Sequence, residues 1–115
     1  MSEDEHDRRI DYIEFTSTDL EATKHFYSEV FGWEFTDYGP DYTSFQDGRL
    51  AGGFTKGKAG GGSPLVVLFA SNLDTVQAAV EKWGVKTFNP HSFPGGRRFH
   101  FKDPGGNELA VWAEK

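Results

Sequence analysis

The sequence contains no cysteine, no excess of basic residues and no long apolar run. Without cysteine, the chain can form neither a disulfide framework nor a thiolate metal site. A formal net charge of −6 without a basic stripe disfavours nucleic acid and anionic membrane surfaces as partners. No apolar stretch approaches the roughly 20 residues that span a bilayer. A small molecule and a second protein chain remain as the expected kinds of partner.

The N-terminal segment is acidic and lacks the basic-then-apolar order of a signal peptide. We therefore expect residues 1–9 to form a disordered acidic tail, and we expect a cytoplasmic protein. Residues 10–115 are predicted to be a single domain, because 115 residues suit one compact core. Eleven Phe, four Tyr and three Trp enlarge the apolar area that such a small core can bury.

The order of apolar and turn-forming residues predicts a βαβββ pattern that occurs twice. Thr18 is predicted to cap a first helix that ends at Gly32, and Ser71 a second helix that ends at Gly84. Alternating or continuous apolar runs predict the strands around them. The predicted first and second strands cover 11–16 and 33–38 in one repeat and 65–70 and 85–89 in the other, and each repeat ends in a hairpin.

A glycine-rich segment, residues 56–63, separates the two repeats. It predicts a flexible linker between module one (10–55) and module two (64–113). A phosphate-binding loop is a weaker interpretation, because no helix begins directly after the glycines. The predicted fold class is α+β, with two tandem βαβββ modules that form a curved mixed sheet around a pocket.

Two segments resemble the signatures of the glyoxalase, bleomycin resistance and dioxygenase superfamily, also called the vicinal oxygen chelate class. One is Asp19-Leu20-Glu21 followed by FYSEVFGW at 26–33, and the other is DPGGNEL at 103–109. The resemblance covers roughly residues 10–113 and implies the same paired fold. It also implies a divalent metal that chelates neighbouring substrate oxygens and stabilises an oxyanion. Members of the class include lyases, epimerases, dioxygenases and proteins that sequester antibiotics without chemistry.

The four positions at which the resemblance places metal ligands carry Tyr12, Ala51, Leu65 and Ala110. Alanine and leucine offer no donor atom, and a phenol with an ordinary pKa near ~10 is a poor ligand at neutral pH. We therefore predict no metal and no other cofactor at these positions. An unconventional metal site made by Glu14, His100 and Glu108 is the alternative.

Strand alternation predicts which side chains face the pocket. Glu14 and His100 are the candidate catalytic residues, because an imidazole titrates near neutrality and a carboxylate can orient it or act as a base. Arg98 is predicted to hold a carboxylate or phosphate of the ligand. The predicted ligand-binding set is Tyr12, Thr16, Tyr42, Leu65, Val67, Arg98, Glu108, Ala110 and Trp112.

Structural roles compete with these functional ones. His100 has the alternatives of stacking on Tyr12 or bonding to Glu14, and Arg98 has the alternative of a salt bridge to Glu108. The aromatic residues near the helix ends, which are Phe31, Trp33 and Trp83, are predicted to lie in the core. His91 is expected in a loop at a mobile edge of the pocket, without a role in its chemistry.

Three functions follow from this reading. The first is a glyoxalase-like protein that binds a small aromatic or anionic metabolite in a metal-free pocket. The second is a lyase or isomerase that uses Glu14 and His100 or an atypical metal. The third is a non-catalytic homodimer, which open sheet edges make plausible.

Overall fold

The computed structural model describes residues 3–58 and 64–114, with side chains from Glu5 onward. Residues 59–63 of the predicted linker lie outside the described residues. Contacts divide the chain into two compact units. We call Tyr12–Leu65 the N-terminal module, and Val66–Lys115 together with Met1–Asp11 the C-terminal module. No helix in the described ranges is long and apolar enough to cross a membrane.

The elements follow the predicted βαβββ order twice. The first set is β1 (Arg9–Ser17), α2 (Leu20–Phe31), β2 (Glu34–Asp37), β3 (Tyr42–Gln46) and β4 (Ala51–Lys56), after a one-turn helix α1 (Glu3–His6). The second set is β5 (Leu65–Phe69), α3 (Leu73–Lys82), β6 (Thr87–Phe93), β7 (Gly96–Lys102) and β8 (Glu108–Ala113). The predicted α+β class and the two tandem βαβββ modules are confirmed.

Both long helices begin one residue later than the sequence suggests. The Asp19 carboxylate accepts the N–H of Ala22 at 3.0 Å, and the Asn72 amide oxygen accepts that of Thr75 at 3.1 Å. Asp19 and Asn72 are therefore the N-caps, and both have the extended backbone that a cap requires. The predicted caps Thr18 and Ser71 were wrong, because the next residue in each case carries the better placed acceptor.

The core of the N-terminal module is aromatic. Its strands are ordered β2-β3-β4-β1, with β1 and β4 parallel and the other pairs antiparallel. Phe15 stacks on Phe54 with ring centroids 5.1 Å apart, and Trp33 stacks on Phe45 at 4.4 Å. Helix α2 covers this face through Tyr27, which lies 4.5 Å from Trp33 and 5.6 Å from Phe54. No residue of α2 is fully buried.

The core of the C-terminal module is mainly aliphatic. Its strands are ordered β5-β8-β7-β6, with β5 and β8 parallel and the other pairs antiparallel. Phe99 is fully buried between helix α3 and the sheet, where it meets Leu73 and Val111. Because side chains alternate along a strand, the neighbours of Phe99 and Val111 project from the opposite face of the sheet.

The segment that the sequence favours as a disordered tail has defined contacts in the structure. Asp7 accepts the N–H of Ser71 at 2.8 Å, and the Arg8 N–H donates to the Phe69 carbonyl at 2.7 Å. These bonds attach residues before β1 to the C-terminal module. The sequence pattern does not reveal them, because they depend on a backbone carbonyl and an amide that any residue supplies.

Two of the aromatic residues predicted to lie in the core are exposed. Trp83 is 83% exposed at the end of α3, and Phe31 is 60% exposed at the end of α2. Trp33 does stack within the aromatic core, as predicted. The helical spacing places Phe31 and Trp83 in the last turn of each helix, beyond the part that the sheet covers.

Candidate functional site

Polar side chains gather on the face of the C-terminal module that lies opposite α3. Strands β7 and β8 bring three of them together. His100 Nδ1 lies 2.9 Å from Glu108 Oε2, and Arg98 Nε lies 3.2 Å from His100 Nε2. His100 is only 4% exposed, whereas Arg98 and Glu108 are half-buried. The structure therefore brings together three residues of the predicted site.

The bonding pattern fixes the proton on the His100 ring. A guanidinium N–H can only donate, so His100 Nε2 must accept from Arg98. The remaining ring proton is then on Nδ1 and is donated to Glu108. His100 is thus a neutral imidazole held in one tautomer, with an acid on one side and a cation on the other.

The surroundings of His100 favour its neutral form. Burial lowers the pKa of His100 below its ordinary value of 6.5, and the positive charge of Arg98 acts in the same direction. The hydrogen bond to Glu108 works against this shift and does not overcome it. At neutral pH the imidazole is therefore uncharged and keeps its donor and acceptor roles.

Strand β6 adds two rings that the sequence reading did not assign to the site. Phe88 pairs with His100 across the sheet at a centroid distance of 5.7 Å, and the His91 ring lies 5.9 Å from that of His100. The pairing register shifts between Phe88 and His91, where Asn89 adopts a positive φ of 53°. The sequence predicts that this strand ends at Asn89 and that His91 lies in a loop, whereas β6 continues to Phe93 and includes His91. The apolar Phe93 beyond it was the signal that the strand continues.

The N-terminal module carries a different polar group on the face opposite its helix. The hydroxyls of Tyr12 and Tyr42 contact each other, and Gly53 lies beneath them. A side chain at Gly53 would overlap both phenols, so this close approach requires glycine. Glu14 is half-buried on β1 and is the register partner of Gly53. Alternation along β1 therefore places Tyr12 and Glu14 on one face, as predicted.

Thr16 has a local structural contact. Its hydroxyl donates to the carbonyl of Lys58 at 2.9 Å, which ties β1 to the segment that follows β4. This bond accounts for Thr16 without a ligand. Its predicted role in ligand binding stays a prediction.

The apolar residues of the predicted set are packed in the structure. Val67 and Ala110 are partners across β5 and β8 and are 2% and 0% exposed, and Leu65 is 8% exposed. Trp112 lies edge-on to Phe69 at 5.0 Å, and its indole N–H donates to Asp11 at 3.0 Å. Each has a structural role here, so their contact with a ligand stays a prediction.

The residues at the expected metal-ligand positions do not suit a divalent ion. Tyr12 contacts a second phenol, that of Tyr42, and its register partner Ala51 supplies no donor atom. Leu65 and Ala110 contribute only hydrocarbon. Among the described side chains, no three His, Asp or Glu groups lie close enough together to hold a metal ion. These residues therefore do not fit the divalent metal that the resemblance implies.

Comparison with known proteins gives a family and a fold. The model of the Glyoxalase/Bleomycin resistance protein/Dioxygenase superfamily matches residues 9–111. No curated protein matches the chain. Methylmalonyl-CoA epimerase from Mycobacterium tuberculosis superposes with a TM-score of 0.75 at 11% identity, covering 92% of this chain and 87% of the epimerase.

Two further solved structures share the fold. A superfamily member from Vibrio splendidus 12B01 has a TM-score of 0.71 at 13% identity over 89% of this chain and 96% of its own. The Mn(II)-bound glyoxalase from Novosphingobium aromaticivorans has a TM-score of 0.68 at 24% identity over 91% of this chain and 38% of its own. At these identities the likeness establishes the fold, and the reaction has to be argued from the residues.

Proposed function

The chain belongs to the glyoxalase/bleomycin resistance protein/dioxygenase superfamily, and from that premise we propose that it binds a small anionic metabolite without a divalent metal. The observation that carries the proposal is the hydrogen-bonded chain Arg98–His100–Glu108 on the face of the C-terminal module. The proposed binding site consists of these three residues and of the apolar rings around His100.

Arg98 is the proposed anion-binding group. Its Nε–H donates to the neutral imidazole of His100, which orients the guanidinium. A guanidinium presents several N–H donors in one plane and suits the oxygens of a carboxylate or phosphate. Glu108 holds the imidazole from the other side at 2.9 Å, so the position of Arg98 is supported by two successive hydrogen bonds.

The rings around His100 supply an apolar wall for the body of the ligand. Phe88 is 38% exposed beside the buried imidazole. Small-molecule sites combine such walls with a few fixed polar groups. A ligand with one anionic group and a compact apolar body fits this combination.

The test is a thermal-shift and calorimetric screen of small monocarboxylates, dicarboxylates and inorganic phosphate. Arg98→Gln is the informative variant and Arg97→Gln is the matched control, because Arg97 lies next to it and pairs with Asp74 at 3.1 Å. We expect an anion that stabilises the wild-type protein and Arg97→Gln, with about ten-fold weaker binding in Arg98→Gln. If Arg97→Gln lost as much affinity, Arg98 would not be the anchor.

Elemental analysis tests the metal-free part of the proposal. Protein purified without chelators is expected to contain no stoichiometric Zn, Ni, Mn or Fe. A stoichiometric metal that disappears in His100→Ala would instead favour an atypical metal site.

A second candidate function is proton transfer by a lyase or isomerase, with His100 as the base and Glu14 as its predicted partner residue. The lowered pKa of His100 favours it, because the imidazole is in the unprotonated form that a base requires. Its Nε2 lone pair already accepts from Arg98, so a ligand anion would have to draw Arg98 away first. The test is the exchange of the methyl protons of pyruvate for deuterium in D₂O. Faster exchange with the wild-type protein, but not with His100→Gln, would support this function.

We also propose that the chain forms a homodimer in the cytoplasm. Helix α2 exposes Phe26, Val30 and Phe31, with exposed fractions of 51%, 58% and 60%. Clustered apolar side chains of this size are typical of protein interfaces. Light scattering is expected to show a dimer for the wild-type protein and His25→Asp and a monomer for Phe26→Asp. A monomeric wild-type protein at micromolar concentration would contradict the proposal.

A further inference from the structure

A concave site lies within the C-terminal module, and its lining does not include Arg98, His100 or Glu108. It is a cavity of about 400 Å³ between helix α3 and the end of β7. Its walls include Val76 and Val80 from the helix and Phe101 from the strand, all of which pack against the core. The cavity is therefore an apolar recess whose floor is the core itself.

The size and the walls of this recess determine what it can hold. An apolar cavity of about 150 Å³ accommodates one benzene ring, so this one suits a body of two fused rings. Trp83 stands at the rim and is 83% exposed, the largest exposed fraction among the described large apolar side chains. An indole in that position can stack on a planar ligand, and burying it would recover apolar area that is now in water.

The rim also carries a cationic side chain, that of Arg8, on a backbone that is held in place by hydrogen bonds. Arg8 lines the cavity and has a φ of 61°, a left-handed conformation that is uncommon for a side chain of this size. Two bonds hold the backbone there: the Arg8 N–H donates to Phe69 O at 2.7 Å, and Asp7 accepts the Ser71 N–H at 2.8 Å. Strained residues of this kind concentrate at ligand-binding positions.

Arg8 is the group at the rim that can bind an anion. The Arg8 side chain is 70% exposed, and its ion pair with Asp7 is long, with 3.8 Å from Nε to the carboxylate. The two Nη atoms of a guanidinium carry four further N–H donors. The other rim charge, Asp103, accepts from the backbone and side-chain nitrogens of Asn107 at 2.9 and 3.1 Å, which lowers its pKa and directs its oxygens into that turn.

We propose that this recess is a second binding site for an aromatic carboxylate of about two rings. The ring system lies between α3 and Phe101, Trp83 stacks over it, and Arg8 binds the carboxylate. The site is separate from the Arg98–His100–Glu108 group and does not depend on the function proposed for that group.

Isothermal titration of the full chain with 2-naphthoate, and with the neutral 2-naphthalenemethanol, tests the proposal. Ala79→Trp places a large side chain in the recess, because Ala79 lines it. Ala78→Trp is the matched control, since Ala78 is the preceding, exposed residue of the same helix. We expect one saturable site that is lost in Ala79→Trp, with at least about ten-fold weaker binding, and kept in Ala78→Trp.

The role of Arg8 is tested separately. Arg8→Gln is expected to weaken 2-naphthoate about ten-fold and to leave 2-naphthalenemethanol unchanged, with Arg49→Gln as the control for net charge. Three results would overturn the proposal: no saturable binding up to the solubility limit, equal losses in the two alanine variants, or a concentration-dependent dimer that Ala79→Trp disrupts. The last would show that a second copy of the chain occupies the recess.

Discussion

The two modules share one connectivity and differ in what holds their helix to the sheet. In the C-terminal module, α3 anchors the buried Leu73 against Phe99 and Val111. In the N-terminal module, α2 has no buried residue and contacts its sheet through the stacked ring of Tyr27. The same βαβββ pattern is therefore compatible with a mainly aliphatic core and with a core of stacked aromatic rings.

The strands of the two modules also carry different polar groups on the face opposite the helix. The C-terminal module carries the charged and titratable chain Arg98–His100–Glu108, and the N-terminal module carries the Tyr12–Tyr42 phenol pair. Fold symmetry has thus not imposed symmetric chemistry. The charged group lies in the module whose helix buries Leu73, and the paired strands β7 and β8 hold its three side chains in register.

The largest contrast between the modules is expected from truncating a phenylalanine in each. Phe99→Ala removes a fully buried ring and should lower the free energy of unfolding by about 3–5 kcal/mol. Phe26→Ala, on the half-exposed face of α2, should cost about 0.5 kcal/mol. Urea denaturation measures both. Equal losses would mean that Phe26 is as buried as Phe99, either within the module or against a second copy of the chain.

The next comparison concerns one strand glycine in each module. A Cβ at Gly52 would overlap the Ile13 carbonyl, and one at Gly96 would overlap the Ala113 carbonyl, so neither backbone can yield easily. Both alanine variants should lose about 1–3 kcal/mol of unfolding free energy. Gly57→Ala is the control, because its Cβ would meet only Thr16 at 3.9 Å. A tolerated Gly96→Ala would show that β7 and β8 can separate.

The helix caps are expected to contribute equally in both modules. Asp19→Ala and Asn72→Ala should each cost about 1 kcal/mol, because each leaves an N–H of the first helical turn without its acceptor. Thr18→Ala should cost much less, since Asp19 is the cap. Thermal unfolding of the three variants measures this, and the reverse order would restore the cap predicted from the sequence.

The smallest effect is the pH dependence that His100 contributes. Because the pKa of His100 is lowered in the folded state, the unfolded chain binds the proton first as the pH falls. The stabilisation is complete above pH 6.5 and is lost as the pH falls below 6.5, toward the lower folded-state pKa. Denaturation between about pH 5 and 8 should show a shallower slope for His100→Gln than for the wild-type protein, while the exposed His25→Gln keeps the wild-type slope. An unchanged slope in His100→Gln would contradict the assignment.

Periodicity and turn chemistry were sufficient to predict the elements of both modules. The helix stop at Gly32 and the alternation along β1 and β7 were correct, because they depend on local geometry. The sequence missed the continuation of β6 past Asn89, where a register shift follows an Asn-Pro turn signal. The proximity of His91 to His100 could not be predicted, because it depends on that shift.

The sequence predicted which residues belong to the candidate site, but it did not predict which of them contact one another. The sequence placed His100, Arg98 and Glu108 on one face through strand parity. For the contacts it left alternatives, which were an Arg98–Glu108 salt bridge and, for His100, stacking on Tyr12 or a bond to Glu14. In the structure the imidazole lies between Arg98 and Glu108 and bonds to both. Parity gives the face of a side chain, whereas the partner depends on register between β7 and β8, which only the fold provides.

The account depends most directly on the state of the His100 ring. Long-range ¹H–¹⁵N NMR of protein purified without chelators reports the proton on each ring nitrogen as the pH is varied. We expect a neutral imidazole at pH 7 with the proton on Nδ1, an unprotonated Nε2 and a pKa below 6.5. A ring protonated on both nitrogens at pH 7, or one with Nε2 bound to a metal, would contradict it.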